Sequence, residues 1–435
     1  MKSNNPSGVS RRTLAKAGIF GAAAAPLLAA CGSDDNGGGD AGDGELDLWW
    51  WGSDARHEYT QQIVEAFLAQ NEGITIKPSP ADFAGYWDAL NVSVSGNNTP
   101  DVMQQDEKYL RDYADKNALL PLEELDIDLS NMDEGTLATG QLDGQTYGIP
   151  TGVNAIALLV NPGLVEAAGL TIPDDTTWTW ADFLQFTADL SAGGDAIGNS
   201  GVSFNNESLF AVFARQKGEN LYTPEGGLGF SESTMTEWWE LVLEARDSGA
   251  TPEASKVVEG YAAGQDQAPL STGTGVTEFY WTNQIGGIQA ALGSDLTLLR
   301  VPGESEGVQP GMFLKSAMYW SVARTTSDKE AAGKLVDFLL NSDESIDLTL
   351  GDRGLPSNLA QRERILPNLP ADQQLGADFI AAITPDLAEA PPVPPVGAGA
   401  VADVMLGIYE SLLFDQITPA EASASFIEQV SAEIG

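Results

Sequence analysis

The sequence predicts an α/β protein made of two successive α/β regions. Two observations carry that expectation. Short apolar strands alternate with amphipathic helices from residue 46 onward, and the same alternation starts again near Tyr147; chains patterned in this way fold into sheets covered by helices. The 435 residues are 43% hydrophobic and 8% aromatic, ample for packed cores and long enough for two or three core-sized units.

The N-terminus reads as an address. Ser10-Arg11-Arg12-Thr13-Leu14-Ala15-Lys16 precedes a Gly/Ala-rich apolar run from Ala17 to Ala30. That run has 14 residues, short of the ~20 that span a bilayer. A basic start, a short apolar stretch and small residues before a processing point describe an export signal over residues 1–30. The paired arginines resemble the twin-arginine class. Leu28-Ala29-Ala30-Cys31 resembles a lipobox, which implies cleavage before Cys31 and lipid attachment to it. Residues 31–45 hold six glycines and almost nothing to bury, so they are expected to be a flexible tether. The expected product is an exported body anchored by lipid to the outer face of the cytoplasmic membrane.

Charge narrows the function. The first thirty residues contain Lys2, Arg11, Arg12 and Lys16 and no acid, which leaves 17 basic residues to face all 63 acidic ones. A surface so negative repels phosphate backbones, so nucleic-acid binding through a basic face is excluded. One cysteine forbids an intramolecular disulfide and one histidine rules out a His-rich metal site.

Leu46–Gly52, with three consecutive tryptophans, reads as the opening strand. Residues 57–70 place Tyr59, Ile63 and Phe67 at helical spacing beside Val64 and Leu68. Ile74–Ile76 and Asp101–Met103 give further short strands, and a helix is expected around Tyr109–Ala118, so the first sheet should be largely parallel. In the second region Ala155–Val160 has strand length. Thr179 and Asp182 form a capping-box pattern with Trp178 and Phe183 as its hydrophobic staple, which makes both aromatics structural. Trp238 lies on an apolar helical stripe and reads as core. Ser327 and Glu330 repeat the capping box. Leu406–Leu413 and Phe426–Ile434 read as closing helices, after the rigid stretch Pro391–Pro395.

The order of these pieces resembles the extracellular solute-binding proteins of ABC importers, in the group of maltose and multiple-sugar binders. The resemblance is carried by Leu46–Gly52, Thr99–Val102 with Leu119–Leu122, Asp143–Pro150 with Val160-Asn161, Ala168–Leu170, Thr179-Trp180, Gly273–Trp281 with Val301–Gly303, Glu330–Ala332 with Phe338-Leu339, and Arg353–Ser357. It implies a type II periplasmic-binding-protein-like fold: two α/β lobes, a hinge and a ligand cleft between them. One lobe is expected to hold 46–153 and 309–358, the other 154–308 and 359–435. It also implies a monomer without a cofactor that delivers its solute to a pair of permease subunits driven by a cytoplasmic ATPase.

A sugar offers hydroxyls at its rim and C–H patches on its faces, so its site pairs aromatic platforms with polar fans. By position in the family's order, Trp51 with Asp54 and Arg56 in the following loop, Gln105 and Asp106 after the third strand, Phe204 and Asn205, and Trp281 with Asn283 are expected in the cleft. Asn154, just past the first crossing, joins them. Arg353 is expected there because cations are scarce and its fork of donors suits two adjacent hydroxyls. No motif picks out catalytic or metal residues, and beside so few cations an anionic solute would need Arg56 and Arg353 to converge, so a neutral mono- or oligosaccharide is the expected ligand. A glycoside hydrolase, a surface adhesin and a non-sugar solute are the alternatives; ferric iron is disfavoured by the lack of adjacent tyrosines.

Overall fold

The structure, a computed structural model, describes residues 45–434. The expected signal peptide, Cys31 and the tether as far as Gly44 lie outside the described residues. The first lobe starts with β1 (Glu45–Trp51), α1 (Asp54–Gln70), β2 (Thr75–Ala81), α2 (Phe83–Ser95), β3 (Val102–Gln105), α3 (Glu107–Asp115) and β4 (Ile149–Pro150). The chain then passes through β5 (Gly152–Asn154) into β6 (Ile156–Val160), α4 (Trp180–Gly193), β7 (Ile197–Asn199), α5 (Glu207–Gln216), α6 (Glu232–Asp247), β8 (Gly275–Trp281) and β9 (Thr297–Leu299). It returns by β10 (Lys315–Ser316) to β11 (Tyr319–Val322) and α7 (Lys329–Asn341), and leaves by β12 (Leu355–Pro356). Four more helices follow: α8 (Leu359–Ile365), α9 (Ala371–Ile383), α10 (Val401–Leu413) and α11 (Pro419–Ile434).

The first sheet has the order β2-β1-β3-β11-β4. Its β1 pairs parallel with β2 and β3, whereas β11 runs antiparallel to β3 and β4. Strand alternation divides the three tryptophans of β1 between its two faces. Leu46, Leu48 and Trp50 pack with Ile63, Val64 and Phe67 of α1 and with Leu335 and Val336 of α7. Trp51 packs on the opposite face with Tyr86 and Trp87 of α2 and Leu110 and Tyr113 of α3. The second strand is longer than Ile74–Ile76, running through Pro78 and Pro80. Two prolines two residues apart direct their missing donors to the same side, which is tolerated because β2 is the sheet edge.

The second sheet, β9-β6-β8-β7, is mostly antiparallel: β6 opposes both β8 and β9, and only β7–β8 is parallel. The expected capping box is present, Thr179 and Asp182 each accepting from the other's backbone, and Trp178 meets Phe183 edge-on with centroids 6.0 Å apart. Trp238 is fully buried in this core. The later cap differs from expectation: Asp328, not Ser327, accepts from Ala331 N and opens α7.

Between the lobes lies a three-stranded ribbon, β10-β5-β12, antiparallel throughout, through which the chain passes three times. Gly152 and Gly354 meet there; a Cβ on Gly152 would sit 2.6 Å from the Gly354 carbonyl carbon, and Gly354 has φ +84°. Two segments sit in the lobe opposite to the one expected. Residues 309–314 remain with the second lobe, where Met312 and Phe313 join its core and Gly311 N reaches Glu304. Helix α8 folds back onto the first lobe: Leu359 N donates to Asn131 O, and Arg364 pairs with Asp343 and Asp347. The chain rejoins the second core from Leu366 and Leu369, just ahead of α9.

Candidate functional site

A cavity of ≈570 Å³ opens between the lobes, within the range that small-molecule sites occupy. It lies where strands give way to helices, as open α/β sheets favour. From the first lobe, Asp82 caps α2 and brings Phe83, 45% exposed, to the wall; Asp106 caps α3 by accepting from Lys108 N at 3.2 Å and brings Glu107 and Lys108. From the second lobe, Asn206 caps α5 and brings Glu207 and Ser208, while Trp281 ends β8 and Asn283 and Gln284 follow it. Tyr222 and Phe313 complete that wall, and Pro391, Pro392 and Pro394 border it.

Lys315 of the ribbon stands between the two sides. Its Nζ is 3.7 Å from Glu107 Oε2 and 5.9 Å from the Trp281 ring centre. Burial pulls its pKa down, but Asp106, Glu107 and Glu207 outweigh that and hold the ammonium above the ordinary lysine value. Burial raises the Glu107 carboxyl, opposed by Lys315. Burial likewise raises the Tyr222 phenol, which stays a neutral hydroxyl. Three carboxylates and two ammonium groups thus face one cavity with four aromatic rings. Such a set accepts and donates hydrogen bonds around a polar rim and offers flat faces for stacking. Among the described residues no cluster of three or more His, Cys, Asp or Glu could hold a metal ion.

The far rim is closed by backbone. Gly397 N donates to Asp112 Oδ1 at 3.2 Å, and a Cβ on Gly399 would lie 2.4 Å from Tyr109 Cε1. Glycine at 399 lets the second lobe approach α3.

Of the residues expected in the cleft, Asp106, Trp281 and Asn283 line the cavity. The others do not. Trp51 is enclosed by Phe83, Tyr86 and Trp87 at 5.1–5.5 Å, so Phe83 takes the wall in its place. Asp54 is exposed in the first turn of α1. Arg56 is bound to Asp352, Nε to Oδ2 at 2.8 Å and Nη2 to the carbonyl at 3.0 Å. Gln105 is fully buried beneath the wall. Asn154 accepts from Thr282 Oγ1 at 3.3 Å and lines a smaller pocket of ≈130 Å³ beside the ribbon, which Asn283 also touches. Phe204 lies in the second core near Trp238, and Asn205 is buried one residue short of Asn206. Arg353 neither reaches the cavity nor pairs with an acid: its Nη2 donates to Thr60 Oγ1 at 2.8 Å and its guanidinium lies over the rings of Tyr59 and Trp320.

The sequence reading missed Phe83, Glu107, Lys108, Glu207, Tyr222, Phe313 and Lys315. Lys315 was legible by the argument of scarce cations applied to Arg353, and Asn206 by its place as a helix cap directly after a strand-end turn.

Comparison with known proteins decides the family. The sequence profile of the bacterial extracellular solute-binding proteins matches residues 62–373. The chain belongs to that family. This solute-binding protein is 24% identical over 369 residues to a putative binding protein of Brucella abortus, covering 83% of this chain and 86% of the relative. It is 23% identical over 322 residues to a putative ABC transporter periplasmic-binding protein of Escherichia coli, covering 70% and 71%. Among solved structures, the GacH receptor of Streptomyces glaucescens, determined unliganded and with acarbose, superposes with a TM-score of 0.75 at 18% identity, over 90% of this chain and 98% of that one. The chain is therefore an extracellular solute-binding protein by family, and one of its relatives carries the name of an ABC-transporter periplasmic-binding protein.

Proposed function

We propose that this solute-binding protein captures a carbohydrate, a mono- or oligosaccharide, in the interlobe cavity and delivers it to a pair of ABC permease subunits driven by a cytoplasmic ATPase. The observation that carries the reading is the cavity's composition: Phe83 from one lobe and Trp281 from the other supply ring faces, among the carboxylates Asp106, Glu107 and Glu207 and the ammonium groups of Lys108 and Lys315. Sugar rings in this cavity are bound as uncharged, hydroxyl-bearing groups. Closure about the β10-β5-β12 ribbon would bury them, and an unmatched buried hydroxyl costs ~1–3 kcal/mol, which sets specificity. In the same reading residues 1–30 direct export, by a route its paired arginines share with the twin-arginine class, and Cys31 carries the lipid that holds the monomer to the outer face of the membrane.

Thermal melting against a panel of mono- and oligosaccharides tests this. A ligand that binds only the folded state adds ~2.7 kcal/mol of stability at one hundred times its Kd, so the right sugar raises the midpoint selectively. No rise with any carbohydrate would move the assignment to a non-sugar solute.

A further inference from the structure

Past Pro392 the cleft continues into a second compartment of ≈550 Å³. Its walls carry Arg111 from α3 of the first lobe and Arg215 from α5 of the second, with Asn220, Gln309 and the segment 388–393 between them. The same two helices line both compartments: Lys108 and Arg111 lie one turn apart on α3, as do Ser208, Ala211 and Arg215 on successive turns of α5.

Arg215 is only 3% exposed. Its guanidinium donates to Gly311 O at 2.9 Å, to Asn220 Oδ1 at 3.0 Å and to Glu389 O at 2.5 Å, and it lies 5.5 Å from the centre of the Phe313 ring, which also lines the main cavity. All three acceptors are neutral, and they engage three of the five N–H groups that an arginine carries. Among the described residues neither Arg111 nor Arg215 enters an ion pair. The charge that acts on Arg215 is Glu304, whose carboxylate is taken up by Gln216 and the backbone N–H groups of Gly311 and Met312. Glu389, on the same wall, is exposed.

In a chain with 63 acids and 21 bases, an internal partner for any arginine is cheap to supply. Two arginines without one, facing a single compartment from opposite lobes, form a receptor for an oxyanion, which guanidinium groups bind by paired N–H donors. We propose that this compartment receives an anionic substituent of the solute, a carboxylate or sulfate borne by a sugar, held between Arg111 of the first lobe and Arg215 of the second. This rests on the carbohydrate reading above and departs from the wholly neutral ligand that composition favoured. It also makes the ligand an oligosaccharide, since its rings occupy the main cavity while its charge lies beyond Pro392. An anion bound by both lobes would hold them closed.

The test is equilibrium binding of uronate oligosaccharides, their carboxyl-reduced counterparts and sulfated oligosaccharides of equal length to the wild-type protein, Arg111→Gln and Arg111→Lys. Arg111 is half-buried and makes no hydrogen bond that the fold depends on, so its variants keep the fold, which melting without ligand verifies. The expected result is that an acidic oligosaccharide binds at least tenfold tighter than its neutral counterpart. Arg111→Gln should remove that factor and leave the neutral affinity unchanged, and Arg111→Lys should restore part of it. A carboxylate preference and a sulfate preference distinguish the two sources of the anion. Equal binding of acidic and neutral forms, or a preference that survives Arg111→Gln, overturns the proposal while leaving a sugar receptor standing. Binding of neither class overturns both.

Discussion

Two tryptophans end strands in the two lobes and meet opposite fates. Trp51 is the last residue of β1 and Trp281 the last of β8. Three aromatic rings of α2 close around Trp51 and leave it 6% exposed. Trp281 has one aromatic neighbour, Phe313 at 6.5 Å, and keeps a face towards the cavity. The difference lies in what is packed on the strand end rather than in the strand. The cover of Trp51 comes from residues 83–87, more than thirty positions along, after a second strand has been laid down beside the first. A strand's carboxyl end fixes where a side chain stands; elements distant in sequence decide whether it meets solvent or core.

That contrast can be broken by substitution. Trp51→Ala should have the largest effect, a loss of ~3–5 kcal/mol of stability as a buried aromatic is removed, read in urea unfolding, with ligand affinity of the folded protein changed less than twofold. Trp281→Ala should do the reverse. Its stability should stay within ~1 kcal/mol of wild type, while affinity falls roughly tenfold to a hundredfold, the ~1.4–3 kcal/mol of a stacking anchor. If Trp51→Ala instead abolished binding at unchanged stability, the roles assigned to the two rings would be exchanged.

A smaller effect separates the ribbon from the cavity. Arg56, Tyr59 and Asp352 form one network, with Tyr59 Oη donating to Asp352 at 2.7 Å. Burial pushes the Asp352 carboxyl up, and Arg56 and Tyr59 outweigh it and hold it below the usual carboxylate value. Asp352→Asn should cost ~1 kcal/mol at neutral pH, at the lower end for a charge-assisted bond because the carboxylate is 40% exposed. The sign of its pH dependence follows from the depressed folded value. The wild-type advantage is complete above the unfolded carboxylate pKa of ~3.9 and disappears as pH falls through the lower folded value. Melts of both proteins from pH 7 to 3 should keep a constant gap down to about pH 4 and a narrowing one below it; a gap that stays constant to pH 3 would mean that Asp352 contributes by shape and not by charge.

Local signals were readable from sequence and distant ones were not. The Thr179–Asp182 box, the buried Trp238 and the helix carrying Ile63 and Phe67 depend on residues within a few turns of one another, and all three are present. β2 runs on past Ile76 through Pro78 and Pro80, residues that a strand tolerates at an edge, and being an edge is settled only by the assembled sheet. The cavity was half legible for the same reason. Asp106 and Trp281 follow from their own strand ends, whereas Phe83, Lys315 and Tyr222 reach the site only once three separate stretches converge. Arg353 shows the converse error: scarcity of cations marked it, but Thr60, Tyr59 and Trp320, from two distant segments, absorb its guanidinium.

The most direct test of the central claim is a diffraction structure of the protein with the carbohydrate that most raises its melting point. The expected result is a sugar between Phe83 and Trp281, hydroxyls within hydrogen-bonding distance of Asp106, Glu107 or Lys315, and the lobes closed over it. A sugar bound on an outer face, or a cavity left unfilled at saturating ligand, would contradict it.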